Sequence, residues 1–385
     1  MLQALNKQQP RPDRRPGALS EIAVSAVVSH RLTDTRSMGG RLGRLTAAAG
    51  ALALAIVALA PAADAAVAIR LLLDRPIDAM AAPLIVAGRA GFADEGVSVT
   101  LVPGNGAGNG NRDVFARLAA GEADMALADI NALIRYRDRP DAAALKAVYM
   151  MTNVAGYAIV ARRSRGIRSL ADLAGKTLGF VENEPAITFW PALARLGGLA
   201  NDHDDKVQLQ RIGAAVREPM LSAGQLDAVT GLGYAAPINL KDRGIPAGDL
   251  TVLRYADHGI AAYGLAIVVT PNFAAAQPEA VRGVLRAFNA ALRATIKDPA
   301  AAIAEVLARM NGGNGGIERE RLDAIIRDDI LTGEVRRNGL GGIDPQRFSL
   351  ALDQLAEGFK LRARPAPADI FDASFLPPPE ARKLD

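Results

Sequence analysis

The chain has 385 residues, half of them hydrophobic, no cysteine, and 45 Lys/Arg against 41 Asp/Glu. That length and apolar content suit one large two-lobed unit or two domains, and the missing cysteine excludes disulfides, thiolate metal sites and cysteine nucleophiles and speaks against a lipid anchor. The calculated pI near 9.4 comes from residues 1–65, which hold eight Lys/Arg and four Asp/Glu; removing them leaves 37 of each, so a nucleic-acid-binding reading loses its main support.

In chain order, Arg41 and Arg44 precede the apolar run 45–60, and the small-residue segment Pro61-Ala62-Ala63-Asp64-Ala65 follows. Basic lead, apolar middle and small-x-small site form the order of a secretory signal cut after Ala65. The run is shorter than the ~20 residues a membrane-spanning helix needs. Residues 1–37 are too long for a signal's basic lead, which makes Met38 the more natural start. The reading places the mature protein, from residue 66, in the periplasm.

The mature chain opens with a strand at 69–73, a helix at 81–89 and an alternating strand at 97–102. A glycine-rich loop spans 104–110, a helix with Val114, Phe115 and Leu118 on one face spans 111–120, and a strand spans 124–130. A second unit starts near Ser169, where a serine followed three residues later by Asp172 reads as a helix start. Strands at 176–181, 207–212, 226–230 and 251–255 alternate with helices at 187–196 and around 219–223, and a strand at 264–269 returns toward the first unit. Helices then dominate, at 278–297, 299–310, 318–330 and 345–361, and a Pro-rich tail, 365–379, reads as extended surface chain. Strands alternating with helices predict an α/β fold with mainly parallel sheets. The order predicts a discontinuous first lobe (66–165 and 260–385, with the C-terminal helices), an inserted second lobe (166–259), and a cleft at the hinge between them.

Four segments resemble one family. Gly91-Phe92-Ala93-Asp94-Glu95-Gly96-Val97, after an apolar helix, looks like the turn that leads into the second strand of nitrate/taurine/sulfonate-type ABC transporter substrate-binding proteins. Ala120-Gly121-Glu122-Ala123-Asp124 is similar to their turn before strand three, and Ser169-Leu170-Ala171-Asp172-Leu173-Ala174-Gly175-Lys176 to the start of their second lobe. Asp257-His258-Gly259-Ile260 with Tyr263-Gly264 resembles the branch that binds pyrimidine precursors of thiamine biosynthesis. The resemblance covers about residues 67–300. It implies a type II periplasmic binding protein fold and a monomer without cofactor. It further implies a small-molecule ligand, heteroaromatic or of sulfonate/nitrate type, and an ABC importer permease as partner.

Ligand contacts in such a fold are expected from loops at strand carboxyl ends. Arg75 suits an anionic ligand group or an ion pair with Asp74 or Asp78, and the loop holding Asn105 exposes backbone N–H groups that could cradle an anion. Asp129 either accepts from a ligand amine or caps the next helix. Asn153 and Tyr157 lie near the first lobe crossing. In the second lobe Glu182-Asn183-Glu184-Pro185 precedes a helix with Thr188 and Trp190; two carboxylates there replace the Ser/Thr/Gly-rich turn of anion-binding relatives and favour a neutral or cationic ligand. Trp190 either stacks on a ring or fills the core, and Tyr234, His258 and Tyr263 complete the candidates. The two mature histidines cannot build a rich metal site. Pyrimidine-synthesising enzymes of this fold use Cys and His, so a chain without Cys reads as a binding protein and not an enzyme; a sensory or protein-binding domain of the same fold is the alternative.

Overall fold

The computed structural model describes residues 65–384 except 90, 105–109, 202–203 and 311; the side chains of 110–113, 201 and 204–205 are also left aside. The expected signal segment and Asn105 therefore lie outside the described residues. Among the described residues no helix is long and apolar enough to cross a membrane.

Ten strands form two five-stranded sheets. The chain lays down β1 (Val67–Leu73), β2 (Val97–Val102), β3 (Met125–Asp129) and β4 (Lys146–Met150), then β5 (Tyr157–Arg162) and β6 (Thr177–Val181). A two-residue hairpin, β7 (Ala200–Asn201) and β8 (Asp204–Asp205), is followed by β9 (Gln208–Ile212), β10 (Ala228–Leu232), β11 (Leu250–Arg254) and β12 (Leu265–Val269). The first sheet runs β2-β1-β3-β12-β4 and the second β11-β5-β10-β6-β9.

Both sheets are mainly parallel, as expected, and each carries one reversed strand that makes it mixed. In the first only β12 is reversed, antiparallel to β3 and β4, while β1 runs parallel to β2 and β3. In the second only β5 is reversed, antiparallel to β10 and β11, while β6 runs parallel to β9 and β10. The reason is the path of the chain. β5 is the first strand after the outward crossing and β12 the first after the return, so each starts at the cleft and runs away from it. Every other strand runs toward the cleft and delivers its carboxyl end there. The sheet crossing lies at 151–156, ahead of the expected lobe boundary between 165 and 166, because β5 pairs only within the second sheet.

Side-chain alternation divides the cores. In β5, Tyr157, Ile159 and Ala161 face a cluster shared with the first sheet, whereas Ala158 and Val160 face a separate one with Leu221, Val229 and Leu240. The shared cluster also takes in Phe189, Trp190 and Leu193 of the second lobe and Phe348, Leu352 and Leu355 of helix Pro345–Gly358. On the other face of the first sheet, helix Pro278–Lys297 buries Val281, Val284, Leu285, Phe288 and Leu292 at helical spacing. Phe288 meets Tyr149 edge-on at 5.3 Å between centroids. Pro278, Pro299 and Pro345 each open a helix in the first turn, where proline's missing N–H has no partner to lose. The Pro-rich tail differs from its expected surface path: Ile370 and Phe371 are buried, and Phe371 bridges Ala147 at the edge of the first sheet.

Candidate functional site

The floor of the cleft is made by the two crossings, 151–156 and 255–264, which bond to each other. Ala155 N donates to Ala262 O (3.0 Å) and Gly264 N to Thr152 O (3.2 Å). They approach so closely at Gly264 that a Cβ there would stand 2.1 Å from Thr152 Oγ1 and 2.8 Å from Val154 O. Only glycine fits this approach. A C-terminal segment seals the crossings from outside. The Arg347 guanidinium donates to Ala261 O (3.0 Å), Asn153 Oδ1 (2.8 Å), Asn153 O (2.9 Å) and Ala262 O (3.2 Å), pairs with Glu334 (2.9 Å), and stacks 4.0 Å over the Tyr263 ring. Asn153 Nδ2 and Tyr263 Oη both donate to Glu334 Oε1, at 2.9 and 2.7 Å. Asn153 and Tyr263 are thus brought together, in a hub that ties both crossings to the C-terminal helices.

The wall from the first lobe starts where β1 ends. Arg75 holds Asp74 with two hydrogen bonds (2.7 and 3.0 Å) and reaches across the cleft to donate to Tyr234 Oη of the second lobe at 2.5 Å. Asp78 caps the following turn by accepting from Met80 N at 2.9 Å. Burial raises its carboxyl above the usual range, against the pull of Arg75.

Asp129, at the end of β3, caps helix Ile130–Arg137 through Asn131 N and Ala132 N. Its other oxygen accepts from Tyr157 Oη of the second sheet at 2.5 Å. Asn131 Nδ2 closes the group, donating to Asp129, to Tyr157 Oη and to Tyr263 O. Burial pushes the Asp129 carboxyl up to about 6, with the Tyr157 bond opposing it. The neutral form is favoured wherever desolvation outweighs hydrogen bonding.

The opposing wall begins at β6. Glu182 is exposed and pairs with Arg211. Asn183 is the one described non-glycine residue with positive φ (72°), a conformation asparagine tolerates. Its carbonyl accepts from Arg135 Nη1 of the first lobe at 3.4 Å, and buried Thr188 accepts from the same nitrogen at 3.3 Å. Glu184 binds Arg217 at 2.9 Å, and burial raises its carboxyl despite that partner. Trp190 is buried in the shared core, and His258, half-buried, ends a short helical turn after β11. Two buried hydroxyls of this lobe, Thr230 Oγ1 and Tyr255 Oη, have no hydrogen-bond partner among the described residues. Three outer cavities are lined instead by the C-terminal tail, with Phe371 in one, Pro378 in another and Asp369 in the third.

A family model described as NMT1/THI5 like matches residues 79–302. The chain belongs to the NMT1/THI5-like family. No curated protein matches it in sequence. Among solved structures, the family member is similar to the alkanesulfonate-binding protein SsuA from Xanthomonas axonopodis pv. citri bound to MOPS, with a TM-score of 0.57 and 18% identity over 79% of this chain and 98% of that one. It is also similar to the ligand-binding component of an ABC-type import system from Staphylococcus aureus with zinc bound, with a TM-score of 0.58 and 13% identity over 80% and 97% of the chains. The desulfurization enzyme DSZB has the same fold at a TM-score of 0.53, with 13% identity over 82% and 97%. These likenesses establish the two-lobed α/β fold of periplasmic binding proteins.

Within this NMT1/THI5-like fold, Arg75 and Tyr234 meet across the cleft, as do Asp129 and Tyr157. Asn153 and Tyr263 belong to the hub, and Trp190, Glu182 and His258 lie apart from these groups. Among the described residues no cluster of His, Asp and Glu could hold a metal ion. The residues that sequence reasoning missed are Arg347, Glu334 and Asp329. The expected helices at 318–330 and 345–361 contain Asp329 and Arg347, but helical periodicity says nothing of where these side chains reach.

Proposed function

We propose that this chain is an exported, monomeric solute-binding protein that captures a small organic molecule between its lobes in the periplasm and delivers it to the permease of an ABC importer. The observation that carries this reading is the convergence of eight strand carboxyl ends on one cleft, with polar bridges from Arg75 to Tyr234 and from Tyr157 to Asp129 spanning it. Contacts of that kind exist only when the lobes are close, so a ligand that adds to them favours the closed form by its differential affinity. The ABC import component and the sulfonate-binding protein that share the fold support a transport role. The basic-apolar-small order of residues 41–65 supports export. Arg75, Asp78, Asp129, Tyr157, Asn183 and Tyr234 are the residues proposed to meet or frame the ligand. Binding rather than catalysis is favoured because the chain lacks cysteine and His258 has no hydrogen-bonded partner to act with among the described residues.

A thermal-shift screen of the purified protein against pyrimidine precursors, sulfonates, nitrate, amines and aromatic carboxylates tests the reading. A ligand at 100 times its Kd stabilises the folded state by about 2.7 kcal/mol. A shift confined to one class names the cargo; no shift across all five classes counts against solute capture.

A further inference from the structure

A carboxylate that the bridges above do not use faces the floor of the cleft. Asp329 lies in the single π-helical turn of the described chain, Ile325–Ile330, and is 3% exposed. Such turns recur at functional sites. Its backbone carbonyl accepts from Val154 N of the outward crossing at 3.0 Å. Its side chain stands against Gly156 of the same crossing: a Cβ on Gly156 would meet Asp329 Oδ2 at 2.7 Å and the Tyr234 ring at 3.1 Å. The carboxylate and the cross-lobe tyrosine therefore converge where the crossing has no side chain.

The charges around Asp329 are already matched elsewhere. Arg254 binds Asp328 at 3.0 Å, Arg327 binds Asp328 at 2.6 Å, and Arg75 binds Asp74. The Asp329 carboxylate has no ion pair and accepts no hydrogen bond among the described residues. A buried carboxylate in that condition is costly until it takes a proton or a cation. Burial pushes it up to about 8, with Arg254 opposing and Asp328 reinforcing the rise. On the far side of the cleft Arg217 is held by Glu184, so an incoming anion finds no uncommitted cation among these pairs.

We propose that Asp329 anchors a cationic nitrogen group of the captured solute, an amine, amidinium or guanidinium, against the Tyr234 ring. This rests on the solute-binding reading and names the chemical class of its cargo. The bound cation supplies the charge that the protein withholds, and Asp329 gives up its proton to solvent as the ion pair forms.

Calorimetric titration of the full protein at pH 7, in two buffers of different ionisation enthalpy, tests it with benzamidine, guanidine and 1,4-diaminobutane as cations and methanesulfonate and benzoate as anions. At least one cation binds with release of most of a proton, and Asp329→Asn weakens it by at least about 30-fold while leaving the fold intact. The proton count on the wild-type protein needs no variant. Cation binding without proton release, or undiminished in Asp329→Asn, overturns the assignment. Binding of methanesulfonate or benzoate alone overturns it and leaves solute capture standing, whereas silence from all five probes counts against both.

Discussion

Replacing Gly264 by alanine tests the account of the floor. The new Cβ would sit 2.1 Å from Thr152 Oγ1, about an ångström inside any normal contact, and 2.8 Å from the Val154 carbonyl. Thr152 can yield only by rotating, but its hydroxyl accepts from Leu265 N at 2.7 Å, and that buried N–H would be orphaned. Such a loss costs about 1–3 kcal/mol. The Val154 carbonyl is backbone and moves only if the crossings part, an overpacking strain of about 1–3 kcal/mol. A destabilisation of about 3 kcal/mol is expected, read from urea unfolding at matched pH. The Thr152→Ala, Gly264→Ala double variant should cost less than the sum of its parts by about 1 kcal/mol, since one clash is then shared. Unfolding of Gly264→Ala within about 0.5 kcal/mol of wild type, a difference ordinary at surface sites, would refute the close approach.

The raised Asp129 carboxyl makes stability depend on pH. Its folded value of about 6 lies above the ordinary 3.8, so the stabilisation is full below about pH 4 and is lost as pH rises through 6. That amounts to about 3 kcal/mol, and Asp129→Asn should flatten this part of the curve in urea titrations between pH 4 and 7.5. Arg347→Ala leaves Glu334 and Asn153 without their shared partner and should cost about 3–5 kcal/mol; Arg347→Lys should recover less than half of it, because an ammonium cannot reproduce the fork. Phe288→Ala removes a fully buried ring facing Tyr149 and should lower stability by about 3–5 kcal/mol. Tyr234→Phe keeps the ring but removes the bond to Arg75; small-angle scattering of the ligand-free protein should show a larger mean radius if that bond holds the lobes together.

The alternating strand 97–102 and the helix 278–297 were legible to the residue, because a half-buried strand and an amphipathic helix carry their periods in the sequence. β4 and β5 were not read: KAVYM and YAIVAR are buried on both faces and show no alternation. Nor could the reversal of β5 and β12 be seen, since strand direction depends on the side from which the chain enters a sheet. In the site, Arg75 and Asp129 stood out as charges at strand ends, and the cap role of Asp129 followed from its position before a helix. Tyr234 as the far partner of Arg75, and Arg347 as the partner of Asn153, depend on contacts 159 and 194 residues apart that no local pattern records.

The hub has a consequence for how the molecule forms. Asn153 and Arg347 are separated by half the chain, and the loop closed by their contact carries one of the largest entropic costs in the fold. The crossings bond to each other over spans of about a hundred residues, whereas their ties to helix Pro345–Gly358 close a loop almost twice as long. The Arg347 contacts are therefore expected to form late in folding. A chain still lacking its C-terminal helices would hold its lobes on crossings tied only to each other.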